Sequence, residues 1–478
     1  MKAHSIDRAA WRYIVVAIGG CMIASCGGGG GIGSGGTGSG GPPDAISIGT
    51  VTGFGSVVVD GTRFDDKSAA TVTEVEPGKD VLAEARLGNR VEVSSRTIGA
   101  ATSFRIEPAI VGSVSALTGN GFESLGQTVL VNTDSTLGPV TQLGGYASAA
   151  DVKVGDTVEV HGVYKATGTM QAVQATRIDK RTDTPTFLRV SGLVQALAGS
   201  GNKQFRIGAL TIDYSAASFV PASSALADGG AVTVFAPMDH FVIQVGGSSR
   251  LTATTVRVKA LRSDGLDIYA SGLVSQLDAA GRFKLDGLTV NYAPANVSPA
   301  GASLSNGKYV QARGMIGADG SLTASLVTLR DGKSQPEAEL RGTIAGFDGT
   351  AGTFSVRGVL VTLASPTLEG CPVGGLQDGL FVEIEGAMNA AGVIAKKVQC
   401  TSEASDSTIE RQGTASGVDT VASSFTLLRT ESAAVPVSWS SLTYFGSITP
   451  QTLDGARVEV EGVLVGGVLQ AAKIKRGD

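Results

Sequence analysis

The chain has 478 residues, with 38 Lys and Arg against 43 Asp and Glu, a formal net charge of −5 and aromatic residues at only 5%. An acidic, aromatic-poor chain lacks the basic face that nucleic-acid binding requires, so that class of partner is set aside. The 67 glycines, with abundant Val, Thr and Ala, point to short strands and tight turns rather than helices.

At the N-terminus, Lys2, Arg8 and Arg12 precede an apolar run from Tyr13 to Ile23 and then the small residues Ala24 and Ser25. A basic start, a short apolar core and small residues at the cut describe a secretory signal. A bilayer span needs about 20 apolar residues, so this run is too short to cross. Ile23-Ala24-Ser25-Cys26 resembles the bacterial lipobox, where a signal peptidase cleaves before a cysteine whose thiol carries diacylglycerol. The resemblance implies a signal at 1–25, lipidation of Cys26 and a membrane partner reached through that lipid. Ile18-Gly19-Gly20-Cys21 is a competing site with a shorter apolar core. In this lipoprotein class an Asp after the cysteine retains the protein in the inner membrane. Gly27 stands there instead, which implies the outer membrane, on its periplasmic or cell-surface face. Without Lys2, Arg8, Arg12 and Asp7 of the signal, the remaining chain carries a net charge of about −7.

Residues 26–45 form a lipidated Gly-rich linker that ends beyond Pro42-Pro43. About 19 such residues span roughly 25 Å on average and bury nothing, which makes the segment a tether. It matches G-x-G-x-x-G repeatedly, but no strand precedes it and no helix follows, so it is not read as a dinucleotide loop.

The body repeats itself. A turn containing glycine leads into an alternating strand at Leu87-Gly-Asn-Arg-Val-Glu-Val and at Val154-Gly-Asp-Thr-Val-Glu-Val-His-Gly. Related segments begin at Asp228, Asn306, Asp378 and Asp454. Period-two alternation puts Val and Ile on one face and Glu, Thr or Gln on the other, as in a half-buried strand. Upstream of each, an apolar strand opens around Gly49, Gly112, Gly192, Gly272, Gly342 or Gly413, at intervals of 63 to 80 residues. A hairpin follows, with Gly61, Gly126, Gly208, Gly287 or Gly358 at its turn. Each copy closes with a further strand, such as Ala172 to Ile178, that carries a basic residue near its end in most copies.

About five strands in 60–80 residues predict a tandem array of about six small OB-like five-stranded β-barrels, an all-β fold. Their bounds are 46–108, 109–183, 187–263, 267–332, 337–401 and 408–478, with joints at Pro185, Pro336 and Ser402 to Ser407. One short helical turn is expected in the looser stretches Ser215 to Ala227, Pro294 to Ser305 and Ser365 to Gln377. A unit this small is marginal alone, so neighbouring units are expected to pack. The opening Gly49-Thr-Val-Thr-Gly-Phe-Gly-Ser-Val-Val-Val-Asp-Gly-Thr-Arg-Phe64, with Val-x-Val-x-Gly repeats behind a lipobox, resembles the bacterial domain-of-unknown-function family 5666 of tandem envelope lipoproteins. That resemblance implies a location and a domain type, and supplies no activity or catalytic residue.

Two cysteines remain after the signal and the lipid site, Cys371 and Cys400, both in the fifth unit. In an oxidising compartment such a pair is expected to form a disulfide. The rival, a redox or metal pair, has neither C-x-x-C spacing nor a nearby histidine. His161 and His240 lie in different units; His161 is expected to be exposed, and a Ser-His-Asp triad or three-histidine zinc site has little to build from. Ser200-x-x-Lys203 and Ser305-x-x-Lys308 fall in loops without companion motifs. Phe122, Phe205, Phe283, Phe354 and Phe425 recur at one position and are expected in the core rather than on a ligand platform. Neither catalytic residues, nor metal ligands, nor a cofactor are expected. The expectation is a non-enzymatic binding or scaffold protein of the envelope, whose partner is an envelope protein or glycan. The alternative is a glycan or small-ligand receptor, with an atypical hydrolase behind it.

Overall fold

A computed structural model of the chain describes residues 45–477 apart from 66–68, 97–98, 169, 200, 244–247, 260–264, 294, 331–336, 402–408, 430–433, 441–442, 447 and 466–467. Cys26, the signal, the tether and the joints at Pro336 and Ser402 to Ser407 lie outside the described residues. Pro185 falls between the strands Met170–Lys180 and Phe187–Leu193. The described residues form strands and four short 3-10 turns, and the fold is all-β.

Unit two shows the plan. Its first strand, Ile110–Thr118, runs antiparallel to the second, Gly121–Ser124, which pairs with the third, Gln127–Val131. The third lies parallel to the fifth, Met170–Lys180; the fifth pairs with the fourth, Thr157–Thr167, which closes back on the first. This order, 1-2-3-5-4-1, is a closed OB-like barrel, and closure leaves no open edge. Units five and six close the same way, and unit four does so with a single bridge, Ser275 to Lys284, between its first and second strands. In unit one a single bridge between Asp65 and Ala100 completes the ring, and unit three splits its fifth strand into Ser249–Thr252 and Thr255–Lys259.

The alternating signature is the fourth strand. Val158 and Val160 in unit two, Val382 and Ile384 in unit five, and Val458 and Val460 in unit six point inward and are fully buried. The recurring glycine that follows sits at a β-bulge, where register slips at His161/Gly162, Arg313/Gly314 and Glu385/Gly386. A Cβ on Gly314 would lie 2.0 Å from the Thr323 carbonyl oxygen, so the bulged strand can approach its neighbour only with glycine there. The five recurring phenylalanines are at most 3% exposed and fill the barrels. Each fully buried side chain of this size contributes about 1.5–3 kcal/mol.

The looser stretches depart from expectation. Helical turns occupy this stretch in unit two, at Ser135–Leu137 and Ala149–Asp151, and in unit six, at Pro450–Thr452. In units three and four the stretch carries the short strands Ser218–Val220 and Asn296–Ser298, each parallel to the fifth strand, as Gln142–Gly144 and Tyr444–Gly446 also are beside the helical turns of units two and six. In unit five the third strand runs on to Glu369 and pairs likewise. A long fifth strand offers free backbone groups beyond the third, and a short parallel strand satisfies them. Cys371 and Cys400 form the expected disulfide, with Cα atoms 4.7 Å apart, tying this stretch to the end of the fifth strand.

Neighbours pack, but not as beads in chain order. The first strand of unit one, Ala45–Phe54, lies parallel to the first strand of unit four, Asp267–Leu273, and then to that of unit five, Ala338–Asp348. At Gly53 a Cβ would fall 1.9 Å from the Glu339 carbonyl oxygen, so the glycine-rich opening of unit one is what lets unit five approach. Units two and three join through their first strands and share one apolar core. Unit six keeps its own closed sheet and its own core.

Units one and four are locked by a buried carboxylate. Asp60, in the turn of unit one's hairpin at φ +46°, accepts the Thr50 backbone N–H at 2.7 Å and the Ser271 hydroxyl. The Tyr309 hydroxyl donates to it at 3.1 Å and Arg330 Nη1 at 3.2 Å. Arg330 in turn donates to the Glu337 carbonyl at 3.0 Å, at the entry to unit five.

Two outcomes follow for stability. Asp60→Ala removes the fully buried acceptor of the half-buried Arg330 and of the Tyr309 and Ser271 hydroxyls, and a loss of about 3 kcal/mol is expected in thermal or urea unfolding. A loss below about 1 kcal/mol would show that the units hold together without it. Replacing Cys371 and Cys400 together by Ser should remove about 3–4 kcal/mol from unit five, since the bridge closes a loop with a sequence separation of 29. Reducing agent should then shift the unfolding of the native chain and leave the double variant unmoved.

Candidate functional site

The outward side chains of the fourth strands were free, on sequence alone, to face solvent. In units one and two they face each other's neighbours. His161, expected to be exposed, is fully buried: unit one covers the outer face of its strand. Its Nδ1 accepts the Arg90 backbone N–H at 3.3 Å and its Nε2 lies 3.2 Å from Glu159 Oε1. Arg90 stands on the outer face of the unit-one strand Arg90–Ser95 and donates to Ser271 Oγ at 3.2 Å, to the Ser271 carbonyl at 3.0 Å and to Asp286 Oδ2 at 3.1 Å. Asp286 occupies the same hairpin turn in unit four that Asp60 occupies in unit one. Its other oxygen accepts the Tyr164 backbone N–H of unit two at 2.9 Å.

Beside this network, units one, two, three and four enclose a half-open cavity of about 880 Å³. Unit one contributes Glu74, Glu92, Arg105 and Glu107; unit two Tyr164; unit three Arg257 and Lys259; unit four Lys284, Asp286 and neighbouring residues. Most of the charges are spent on each other. Arg257 Nη2 meets Glu74 Oε1 at 2.5 Å, while Glu107 Oε2 takes Arg189 Nη2 at 2.5 Å and Lys259 Nζ at 2.9 Å. Burial alone would push the Glu107 carboxyl up, but Lys259 and Arg189 outweigh it and hold it at about 2.

Glu92 is different: among the described residues it has no hydrogen-bond or ion-pair partner. The corresponding positions in units five and six, Glu383 and Glu459, are paired with Arg63 and Lys475. Lys475 lies directly across the ladder from Glu459, and Arg105 lies directly across from Glu92. In unit one, however, an added hairpin, Ala70–Glu76 with Lys79–Leu82, brings Asp80 to Arg105, and a bidentate pair at 2.7 and 2.5 Å takes the guanidinium away. Burial, then the nearby Glu107 carboxylate, raise Glu92 to about 7 against the partial opposition of Lys259, Arg105 and Arg257. Further cavity groups are uncommitted, among them the Lys284 ammonium, which is in no ion pair among the described residues. The Tyr164 hydroxyl makes no hydrogen bond among the described residues, and Arg257 Nε is buried without an acceptor.

The sequence-level candidates fare unevenly here. Cys371 and Cys400 form their bridge away from the cavity, and Cys26 is outside the described residues. Ser305 and Lys308 close a backbone turn in unit four, with the Lys308 N–H donating to the Ser305 carbonyl, and Ser200 is outside the described residues. His240 Nδ1 lies 3.0 Å from the Thr252 carbonyl, remote from His161. Among the described residues, no cluster of three His, Cys, Asp or Glu side chains could hold a metal ion. None of the cavity residues stood out in the sequence. The one available signal was the additional acidic hairpin Glu74 to Asp80 in unit one.

The unpaired carboxyl gives a pH signature. Its folded value, about 7, lies above its ordinary 4.5, so the folded state holds the proton more tightly than the unfolded chain. The stability it allows is fully present below the unfolded value and is lost as pH rises through the folded one. Glu107 titrates well below this window. Glu92→Gln should therefore raise stability at pH 8, on the order of 1 kcal/mol after screening by cavity water, and change it little at pH 4.5. Equal melting shifts at both values would contradict the assignment.

A profile of the family described as Domain of unknown function (DUF5666) matches residues 111–179, 271–328, 341–399 and 412–475, together more than half of the chain. These segments fall in units two, four, five and six. The glycine-rich opening of unit one and the split-strand unit three lie outside them. Among curated proteins no sequence matches this chain. The repeated closed barrels and the four matched segments agree, and the chain belongs to the DUF5666 family.

Proposed function

We propose that this chain is a lipid-anchored protein of the bacterial outer membrane with a non-enzymatic binding role, and that it takes a small polar ligand between units one to four. The address rests on sequence: the basic and apolar start, the lipobox-like Ile23-Ala24-Ser25-Cys26 and Gly27 after it. The observation that carries the binding role is the cavity of about 880 Å³ with the Glu92 carboxyl, the Tyr164 hydroxyl and Arg257 Nε left without partners among the described residues. Small-molecule pockets range over about 300–1,000 Å³ and combine apolar walls with a few unsatisfied polar groups. Ser191 in the lining hydrogen-bonds Thr233 Oγ1 at 2.9 Å rather than a general base, which favours binding over hydrolysis. A scaffold that repeats one weak contact is less well supported, because units one to five spend non-equivalent faces on each other.

Both halves are testable. The native chain should sediment with outer membranes, while Cys26→Ser should be recovered in the soluble fraction; membrane retention of the variant would overturn the anchor. For binding, the chain from Gly27 onward should show a saturable, one-to-one melting shift with a small polar compound. Ala227→Trp, on the exposed rim of the cavity, should abolish that shift. A shift that survives the plug would place binding elsewhere. A single envelope protein captured by cross-linking, with no small-ligand response, would favour the scaffold.

A further inference from the structure

The charge pattern of the cavity restricts what can occupy it; the argument rests on the receptor reading above. A cationic ligand entering beside Glu92 would meet Arg105, Arg257 and Lys259, and an anionic one would meet Glu74, Glu92 and Glu107. Each of these except Glu92 is already held in an ion pair among the described residues, so a charged ligand seated against them must either break a buried pair or sit beside a like charge, although Lys284, Asp228 and Asp319 of the lining stand outside these pairs. Breaking a buried pair costs about 3–5 kcal/mol, more than one new surface-like pair returns. A neutral ligand with many hydroxyls has no such conflict. Carboxylates already bound to one cation keep lone pairs, and a guanidinium keeps N–H groups, as Arg257 Nε does. Between the charged groups the wall is aliphatic, with Ile48, Pro108, Leu285 and Leu288, which suits the C–H face of a sugar ring.

We propose that the cavity between units one, two, three and four takes a neutral polyhydroxylated ligand of sugar-like chemistry, held by the Glu92 carboxyl, the Tyr164 hydroxyl and the Arg257 guanidinium. A carboxyl that titrates near neutrality accords with this, since its protonated form both donates to and accepts from a hydroxyl. Glutamine reproduces that pair of roles and carries no charge. Ligand chemistry, not titration, therefore separates this assignment from an electrostatic one.

The test is calorimetric titration of the chain from Gly27 onward with maltotriose and N,N′-diacetylchitobiose as neutral probes, spermidine as the cation and citrate as the anion, at pH 6 and pH 8. Saturable one-to-one binding of a neutral saccharide is expected, no weaker at pH 6 than at pH 8. Tyr164→Phe keeps the ring and should weaken it about tenfold, as should Glu92→Ala, while Glu92→Gln should hold within about threefold. Binding of spermidine or citrate but neither saccharide overturns the sugar assignment and leaves the receptor reading standing. Saccharide binding that is unchanged in both Tyr164→Phe and Glu92→Ala overturns the assignment to this cavity. No binding of any probe overturns both readings. Unfolding curves of Glu92→Gln and Tyr164→Phe guard against loss of fold.

Discussion

A buried carboxylate with no partner is among the most expensive features a fold can contain, and Asp60 escapes that state chiefly through residues of another unit. The Ser271 and Tyr309 hydroxyls and the Arg330 guanidinium come from unit four and its exit, while only the Thr50 N–H is local. Unit one therefore reaches its lowest energy only when unit four is docked. That docking brings the first strands into parallel register from Ala45 opposite Asp267 to Ile48 opposite Ala270. The same junction sets Tyr309 against Val163 and Leu273, so that unit two is held by apolar burial where unit one is held by charge. Arg330 passes the constraint on to the start of unit five.

Six copies of one barrel could have remained equivalent. They do not, because the outer row of the fourth strand and the hairpin turn carry different side chains in each copy. In unit six, Glu459 is answered within the unit by Lys475, and the barrel needs no neighbour. Glu383 of unit five meets Arg63 of unit one. At the matching place unit three has Thr233, which leaves Arg257, opposite it on the ladder, free to reach Glu74 of unit one. The outcome is a set of ion pairs crossing from unit to unit around a space that none of them fills. Glu92 is left over because Asp80 has taken its cross-strand partner, and the cavity owes its uncommitted acid to that competition.

Much of the architecture was legible in the residues. Val-x-Val alternation marks strands because successive side chains must point to opposite faces, and the glycine after it marks a bulge where a Cβ would strike the next strand's carbonyl. The recurring phenylalanines are core, packed at one position in each of units two to six among buried Val, Ile and Leu. Two cysteines in one exported unit had few alternatives to each other. Local pattern was weaker where several conformations satisfy the backbone equally. The loose stretch holds an added parallel strand in units two, three, four and six and a helical turn besides in units two and six, with no change in the periodicity that could announce it.

By itself, then, the sequence determined the barrel, its repetition, its bulges and its disulfide, because each follows from contacts within one unit. Only the tertiary structure decided which polar residues are solvated and which are buried. Val-Glu-Val reads identically around Glu92, Glu159 and Glu459, yet the first lines a cavity, the second supports a buried histidine and the third closes a local ion pair. Asp60-Gly61 reads as a turn and is one, but its side chain is also the lock between units one and four. For Asp60 the partners lie more than two hundred residues away, and burial of a charge depends on what is brought beside it rather than on its own neighbours in the chain.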